Sequence, residues 1–167
     1  MQFFPVTEAL SSATLDQTPI AASAAGVVCG LLAQATPARF AVAGPSMGPL
    51  LRDGDEVIVR PATAADVRRG QLVLFRQHGR LTLHRCVGRG RAGELRTAAD
   101  AAVQGVETVP PDRMLGVAVQ RYRQGRARRL DTLAVRAGGM ARYWVRPLRR
   151  WALRWRGVRG RPGATAP

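Results

Sequence analysis

One serine stands among two prolines and two glycines, in the segment Gly44-Pro45-Ser46-Met47-Gly48-Pro49. Proline fixes φ and lacks an N–H, whereas glycine accepts backbone angles that other residues resist, so the segment predicts a stiff bend with Ser46 at its apex. A serine hydroxyl is a useful nucleophile only when a neighbouring base takes its proton. The segment therefore predicts nucleophilic chemistry if the fold brings a base to Ser46.

Few residues of this chain could act as the general base, because all 26 basic residues are arginine and the chain has no lysine. Arginine stays protonated too firmly to act as a base. Histidine titrates near neutrality, with an ordinary pKa of about 6.5. The two candidates for a base are therefore His78 and His84.

The surroundings of the two histidines favour His84. His78 lies in Gln77-His78-Gly79-Arg80, which predicts a hairpin tip, whereas His84 follows an alternating run typical of a strand. Alternation puts Thr82, His84 and Cys86 on one face of that strand. A lone histidine on a strand is more often structural than catalytic, but a strand holds a base in place better than a loop tip does. We therefore expect His84 to be the base.

The charge of the chain is concentrated in its C-terminal part. Residues 1–120 carry 12 arginines against 10 acidic residues, a net charge of +2, whereas residues 121–167 carry 14 arginines against Asp131 alone, a net charge of +13. The basic character thus belongs to a tail. We expect three parts: an N-terminal arm and helix over residues 1–37, a catalytic domain over 38–120, and an arginine- and tryptophan-rich tail over 121–167.

Cysteine content argues against a disulfide framework and against a structural metal. Cys29 and Cys86 are the only cysteines, and neither has a second ligand at zinc-finger spacing. We expect both to be free thiols packed as small apolar residues, with a preference for a reducing compartment. No metal or organic cofactor is predicted.

The N-terminal part predicts a loose arm followed by a helix. Residues 1–18 carry two acidic residues and no basic n-region, so they are not typical of a secretory signal. Residues 20–33 are apolar or small throughout, but they fall short of the roughly 18 to 20 residues that span a bilayer. We expect a packed helix that begins near Pro19 and stops at Thr36-Pro37, with a single membrane span as the alternative.

Five segments within residues 39–119 resemble, in this order, the conserved boxes of type I signal peptidases. They are Gly44-Pro45-Ser46-Met47-Gly48-Pro49, Arg52-Asp53-Gly54-Asp55, Arg69-Gly70-Gln71-Leu72-Val73-Leu74-Phe75, Leu83-His84-Arg85-Cys86-Val87-Gly88 and residues 109–119. The chain is similar to the archaeal and endoplasmic-reticulum branch, in which histidine replaces the bacterial lysine base, and to soluble signal-peptidase-like proteins of bacterial peptide-modification clusters. This resemblance implies a mainly β fold, a partly open β-barrel with an N-terminal helix.

The resemblance also implies roles for individual residues. Ser46 matches the nucleophile and His84 the general base. Asp100, in Thr97-Ala98-Ala99-Asp100, falls where the family has a Thr-x-Gly-Asp box, with Ala99 in place of the glycine. Asp100 is therefore the candidate third member of the site. The alternative for Asp100 is a loop carboxylate that caps a turn.

The resemblance implies a serine endopeptidase that cleaves a peptide or a leader segment through an acyl-enzyme. The lack of lysine and the presence of His84 fit the histidine-dependent branch and are expected to exclude the lysine-dependent repressor-cleaving relatives. Bacterial signal peptidases often place an oxyanion-binding serine two residues before the nucleophile, where this chain has Gly44, so the backbone N–H of Ser46 is the expected oxyanion donor. The alternative is a catalytically silent barrel that binds an extended peptide as a maturation partner.

The tail predicts a basic amphipathic helix. Apolar residues recur at steps of three or four, which is helical spacing: Leu133, Ala137, Met140, Trp144, Leu148, Trp151 and Trp155. We call these seven positions the apolar stripe. Arginines fill the other faces, a pattern typical of a helix in a membrane interface. We expect Gly138-Gly139 and Pro147 to break the helix into two pieces.

Several partners remain open for the tail. The favoured one is an anionic membrane surface, so we expect a cytoplasmic protein or one peripheral to the membrane. The alternatives are packing of the apolar stripe on the barrel, an acidic peptide, nucleic acid bound through its phosphates, and a disordered basic extension. Nucleic acid is the less favoured partner, because phosphate binding gives no role to the tryptophans.

Overall fold

The computed structural model describes residues 19–102 and 105–158, with side chains described for 24–102 and 105–145. The arm expected over residues 1–18 lies outside the described residues. The elements are α1 (Pro19–Ala33), β1 (Ala38–Ala41), β2 (Glu56–Pro61), β3 (Leu72–Gln77), β4 (Arg80–Arg89), β5 (Leu95–Ala98), β6 (Glu107–Val109), β7 (Met114–Arg123), β8 (Arg126–Arg129) and α2 (Leu133–Val158). The predicted mainly β fold with a helix at each end is confirmed.

All eight strands belong to one antiparallel sheet that curls into a half-barrel. The strand order is β1-β2-β7-β3-β4-β5-β6, and β8 pairs with the end of β7. Strand β7 therefore lies between two strands that precede it by more than 30 residues in the chain. Because β7 runs to Arg123 and β8 continues the sheet, the sheet extends past the boundary expected at residue 120.

The first helix forms as the sequence predicts. It begins at Pro19, where the missing proline N–H costs nothing, and ends where Ala35 takes a φ of 57°. The Thr36 N–H then donates to the Leu31 carbonyl, at 2.9 Å. Val28 and Leu32 are buried in the core. Within the described residues, neither helix combines the length and the apolar character that crossing a membrane would require.

The hairpin between β3 and β4 also forms as predicted. His78 and Gly79 have φ values of 47° and 74°, the two left-handed residues of a tight hairpin turn. His78 is exposed at this tip. The turn sets the register in which Val73 lies opposite His84, so it determines where His84 falls on the sheet.

Helix α2 is continuous over 26 residues, and the expected break at Gly138-Gly139 and Pro147 is wrong. The helix begins after Thr132, whose hydroxyl accepts a hydrogen bond from the N–H of Val135 at 3.3 Å. Gly139 is buried, and a Cβ at this position would collide with the guanidinium of Arg85. This glycine is explained by the close approach of α2 to the sheet, not by an interruption of the helix.

The apolar stripe does not pack on the sheet where its side chains are described. Leu133, Ala137 and Trp144 are exposed, and Met140 is half-buried. The packed face carries Val135 and Gly139 instead. The side chains of the three remaining stripe positions, Leu148, Trp151 and Trp155, lie outside the described residues.

We predict opposite effects for alanine at the two neighbouring glycines of α2. Gly139→Ala should lower the free energy of unfolding by about 1–3 kcal/mol, because its Cβ meets the Arg85 guanidinium. Gly138→Ala should raise it by up to about 1 kcal/mol, since Gly138 faces open space and alanine favours helix. Urea unfolding measures both. Equal effects at the two positions would contradict the close approach of α2 to Arg85.

The turn before β2 is tied to the far end of β7 through Asp55. This buried carboxylate accepts two hydrogen bonds from Arg123, both at 2.7 Å, and one from the N–H of Arg52, at 2.8 Å. Burial acts to raise the pKa of Asp55, but the hydrogen bonds from Arg123 and Arg52 outweigh it, and the pKa lies below its ordinary value. The Asp55 carboxylate thus holds the backbone of the turn through the N–H of Arg52.

We predict that Asp55 contributes acid-sensitive stability. Because its pKa is lower folded than unfolded, its contribution is present above the unfolded pKa and is lost as the pH falls towards the folded pKa. Asp55→Asn should therefore cost about 1–3 kcal/mol near neutral pH and progressively less below a pH of about 4. Urea unfolding at several pH values tests this, with Asp112→Asn at an exposed carboxylate as the control. A cost for Asp55→Asn that is independent of pH would contradict the prediction.

Candidate active site

Ser46 lies exposed on a bend between β1 and β2. The bend starts at Gly44, whose φ of 87° needs a glycine and whose N–H donates to Oδ1 of Asp53 at 2.9 Å. It continues as a tight turn in which the N–H of Gly48 donates to the Pro45 carbonyl, also at 2.9 Å. The predicted stiff bend around Ser46 is confirmed.

The bend is fixed to the domain on both sides of Ser46. Before it, the N–H of Val42 donates to the Asp55 carbonyl at 2.8 Å. After it, Met47 and Leu51 are 3% and 2% exposed and belong to the core cluster that includes α1. Arg121 of β7 donates to the Leu50 carbonyl at 2.7 Å. An exposed hydroxyl is thus held by buried neighbours, the arrangement a positioned nucleophile needs.

The segment after β5 reaches the bend directly. The N–H of Ala101 donates to the carbonyl of Ser46 at 2.9 Å. Strand β5 pairs with β4, where Arg85 lies opposite Ala98. Ser46 is therefore tied to the chain three residues beyond the point at which β5 runs beside His84 and Arg85.

The ring of His84 is held from two sides. His84 is buried on β4, and the Phe75 ring meets it edge-on, with centroids 5.9 Å apart and planes at 64°. Nδ1 of His84 lies 3.0 Å from Oε2 of Glu107. With a proton on Nδ1, the ring donates to this carboxylate, and Nε2 is left to accept a proton. This is the tautomer that a general base requires.

Strand register explains why Glu107 meets His84. Cys86 lies opposite Thr97, and Thr97 lies opposite Glu107. Directly opposed residues of antiparallel strands point to the same face, and so do residues two apart on one strand. His84, Cys86, Thr97 and Glu107 therefore share one face across three strands. The contact of Glu107 with His84 could not be predicted from the sequence, because the strand of Glu107 is only three residues long and its register depends on two earlier strands.

Asp100 pairs with Arg85, which corrects the expectation that it would meet His84. Arg85 donates from Nε to Oδ1 at 2.7 Å and from Nη2 to Oδ2 at 2.5 Å. The two side chains are 1% and 5% exposed. Ala98 lies opposite Arg85, and Asp100, two residues further on, follows the same face. That face is opposite the one that carries His84, so the carboxylate beside the histidine is that of Glu107.

The N–H of Ala101 ties Ser46 to the segment after β5, and β5 pairs with β4, the strand that carries His84. In the part of the chain that the structure describes, no hydrogen bond joins the Ser46 hydroxyl to His84. The N–H of Ser46, the expected oxyanion donor, likewise donates to none of the described residues. No three His, Cys, Asp or Glu side chains gather as a possible metal site within the described ranges.

A family model described as Peptidase S24-like matches residues 24–119. The matched region covers more than half of the chain and includes Ser46, His84, Asp100 and Glu107. A comparison with curated proteins found no match. The curled antiparallel sheet agrees with the family match. The chain belongs to the S24-like peptidase family.

Proposed function

We propose that the protein is a serine endopeptidase of the Ser–His type, with Ser46 as nucleophile, His84 as general base and Glu107 as the residue that positions the base. The observation that carries this proposal is the contact of 3.0 Å between Nδ1 of His84 and Oε2 of Glu107. A buried histidine bonded to a carboxylate on one ring nitrogen has the other free for proton transfer. The S24-like family match and the fixed bend at Ser46 support the choice of Ser46 as the nucleophile.

The reaction has two halves. In the first, Oγ of Ser46 attacks a peptide carbonyl while its proton moves to Nε2 of His84, which requires the two atoms to approach to about 3 Å. The proton then passes to the leaving amine as the C–N bond breaks, and an acyl-enzyme remains on Ser46. In the second half, water gives one proton to His84 and attacks the ester carbonyl. His84 then returns that proton to Oγ of Ser46 as the ester bond breaks, which releases the acid and restores the serine.

Glu107 stabilises the imidazolium that forms during both halves. Its carboxylate is 38% exposed, whereas the His84 side chain is 11% exposed. Solvent screens a partly exposed ion pair, so the electrostatic contribution of Glu107 is smaller than that of a buried aspartate. Its second contribution is geometric, since the hydrogen bond fixes the tautomer and the ring orientation.

The oxyanion donors limit the rate. Gly44 offers no hydroxyl and Pro45 has no N–H, so the N–H of Ser46 is the donor this bend supplies. Losing one oxyanion donor costs about 10²–10³ in rate. We infer that turnover is slow. We also infer that the substrate is a leader segment, and this inference rests on the resemblance to signal peptidases.

We predict that Ser46→Ala and His84→Ala each slow labelling by a serine-directed phosphonate by about 10³-fold or more. His78→Ala is the matched control, because His78 is exposed at a hairpin tip and should leave the labelling rate unchanged. Mass spectrometry of the phosphonate adduct measures the labelling rate and identifies the labelled residue. Equal loss from His78→Ala would show that the wrong histidine is assigned.

We predict that substitutions of the two carboxylates, Glu107 and Asp100, have different effects on labelling rate and on stability. Glu107→Gln should slow labelling about 10- to 100-fold with little change in stability, because glutamine keeps the size but not the charge. Asp100→Asn removes the charge partner of the buried Arg85 and should cost about 3–5 kcal/mol of stability. Labelling rates are compared only in protein shown to be folded by circular dichroism. A larger rate loss in folded Asp100→Asn than in Glu107→Gln would reverse the assignment.

The second candidate function is a catalytically silent barrel that binds an extended peptide. It is favoured by one observation: no hydrogen bond joins Ser46 to His84 among the described residues. The two candidates differ in a direct measurement. A parent protein that binds a leader peptide by calorimetry but is never labelled at Ser46 is the silent barrel, whereas labelling that depends on His84 is the peptidase.

A further inference from the structure

The outward face of α2 carries no charge wherever its side chains are described. The exposed residues between 133 and 145 are Leu133, Ala134, Ala137, Gly138, Ala141, Trp144 and Val145. The largest of them are strongly exposed: Leu133 by 76%, Trp144 by 63% and Val145 by 45%. An exposed apolar helix face of this kind marks an interaction site more often than an unused surface.

The helix cannot turn this face inward without losing its present packing. Its other side buries Val135 and places Gly139 directly over the Arg85 guanidinium, a position that only glycine fits. Arg136, one residue after Val135, donates from Nε and Nη2 to the Arg69 carbonyl, both at 3.0 Å. The apolar face is therefore held outward by specific contacts on the opposite side.

Arg69 borders this face, and the helix itself is strongly basic. Helix α2 contains seven arginines and no acidic residue. Arg69, which is exposed in the turn before β3, lies over the Trp144 ring with its guanidinium carbon 5.4 Å from the ring centroid. A tryptophan beside an arginine is suited to the boundary between lipid headgroups and acyl chains, because the indole has both an apolar body and a polar N–H.

We propose that α2 docks this protein on an anionic lipid bilayer, with Leu133, Ala137 and Trp144 in the headgroup region and the arginines at lipid phosphates. Apolar burial and attraction of about 1 kcal/mol per basic residue near the surface act together in such a helix. The helix lies in the plane of the surface and does not cross it. The inference is independent of the chemistry at Ser46.

Charge and apolar contact together favour an anionic bilayer over a second copy of the chain and over duplex DNA. A second copy of the chain would bring together two segments that each carry a net charge of +13 over residues 121–167, and like charges oppose that contact. Duplex DNA would satisfy the arginines but would leave Leu133 and Trp144 without apolar contact. An anionic bilayer satisfies both the apolar face and the cations.

The test is flotation of the full chain with vesicles of phosphatidylcholine, with and without about one third phosphatidylglycerol. The parent should bind the anionic vesicles and bind the neutral ones much more weakly. Leu133→Ser combined with Trp144→Ser should weaken binding at least about ten-fold. Val27→Ser, at a 51% exposed apolar residue of α1, is the control and should bind as the parent does.

Two substitutions of opposite charge at the exposed Ala141 test the proposal even if the variant with both Leu133→Ser and Trp144→Ser folds poorly. Ala141→Glu should weaken anionic-vesicle binding about ten-fold, whereas Ala141→Lys, of similar length and helix propensity, should not. Equal vesicle binding by Ala141→Glu and Ala141→Lys would overturn the proposal. So would a parent that prefers duplex DNA to anionic vesicles at physiological salt, or one that forms a dimer which the Leu133 and Trp144 substitutions dissolve.

Discussion

The buried pair of Arg85 and Asp100 joins four separate parts of this structure. Two charges with almost no exposure to water are costly unless they are paired and hydrogen-bonded. Each of the three guanidinium nitrogens of Arg85 donates one hydrogen bond, two of them to Asp100 and the third to the Gly70 carbonyl, at 2.6 Å. Strand β4, the end of β5, the turn before β3 and helix α2 therefore converge on one guanidinium. Because Ala101 follows Asp100 and its N–H donates to the Ser46 carbonyl, the position of Ser46 depends on this pair.

The absence of lysine matters to the fold as well as to the choice of base. Each cation that enters the interior is a planar guanidinium, and planarity allows two parallel bonds to one carboxylate. Arg123 uses this geometry on Asp55 beneath the Ser46 bend, as Arg85 does on Asp100. Arg121 and Arg123 also reach the Leu50 carbonyl. A lysine at these positions would supply charge without the paired geometry that fixes the bend.

Local signals in the sequence were sufficient for the parts of the site that depend on neighbours along the chain. The glycines and prolines around Ser46 predicted the bend, and His78-Gly79 predicted the hairpin that places His84 on a strand. The partners of the two carboxylates were not predictable in this way. Glu107 meets His84 only through the register of β4 with β5 and of β5 with β6, and Asp100 meets Arg85 through the alternate face. From the sequence, Gly139 predicted a helix break. The side chain that requires a glycine at this position belongs to Arg85, 54 residues earlier in the chain, and this contact is not visible in the sequence.

The position of β7 has a consequence for how the chain acquires its structure. Strand β7 spans Met114–Arg123 and pairs with both β2 and β3, so neither of these strands can complete its hydrogen bonds on that side before β7 has been synthesised. Pairings between segments so far apart in sequence form slowly, because loop closure must precede the gain from contact. During synthesis, the β1–β2 ribbon and the β3–β4 hairpin have unpaired strand edges, which can form non-native pairings with other strands. The nascent chain is therefore most exposed to aggregation in the interval that ends when β7 leaves the ribosome.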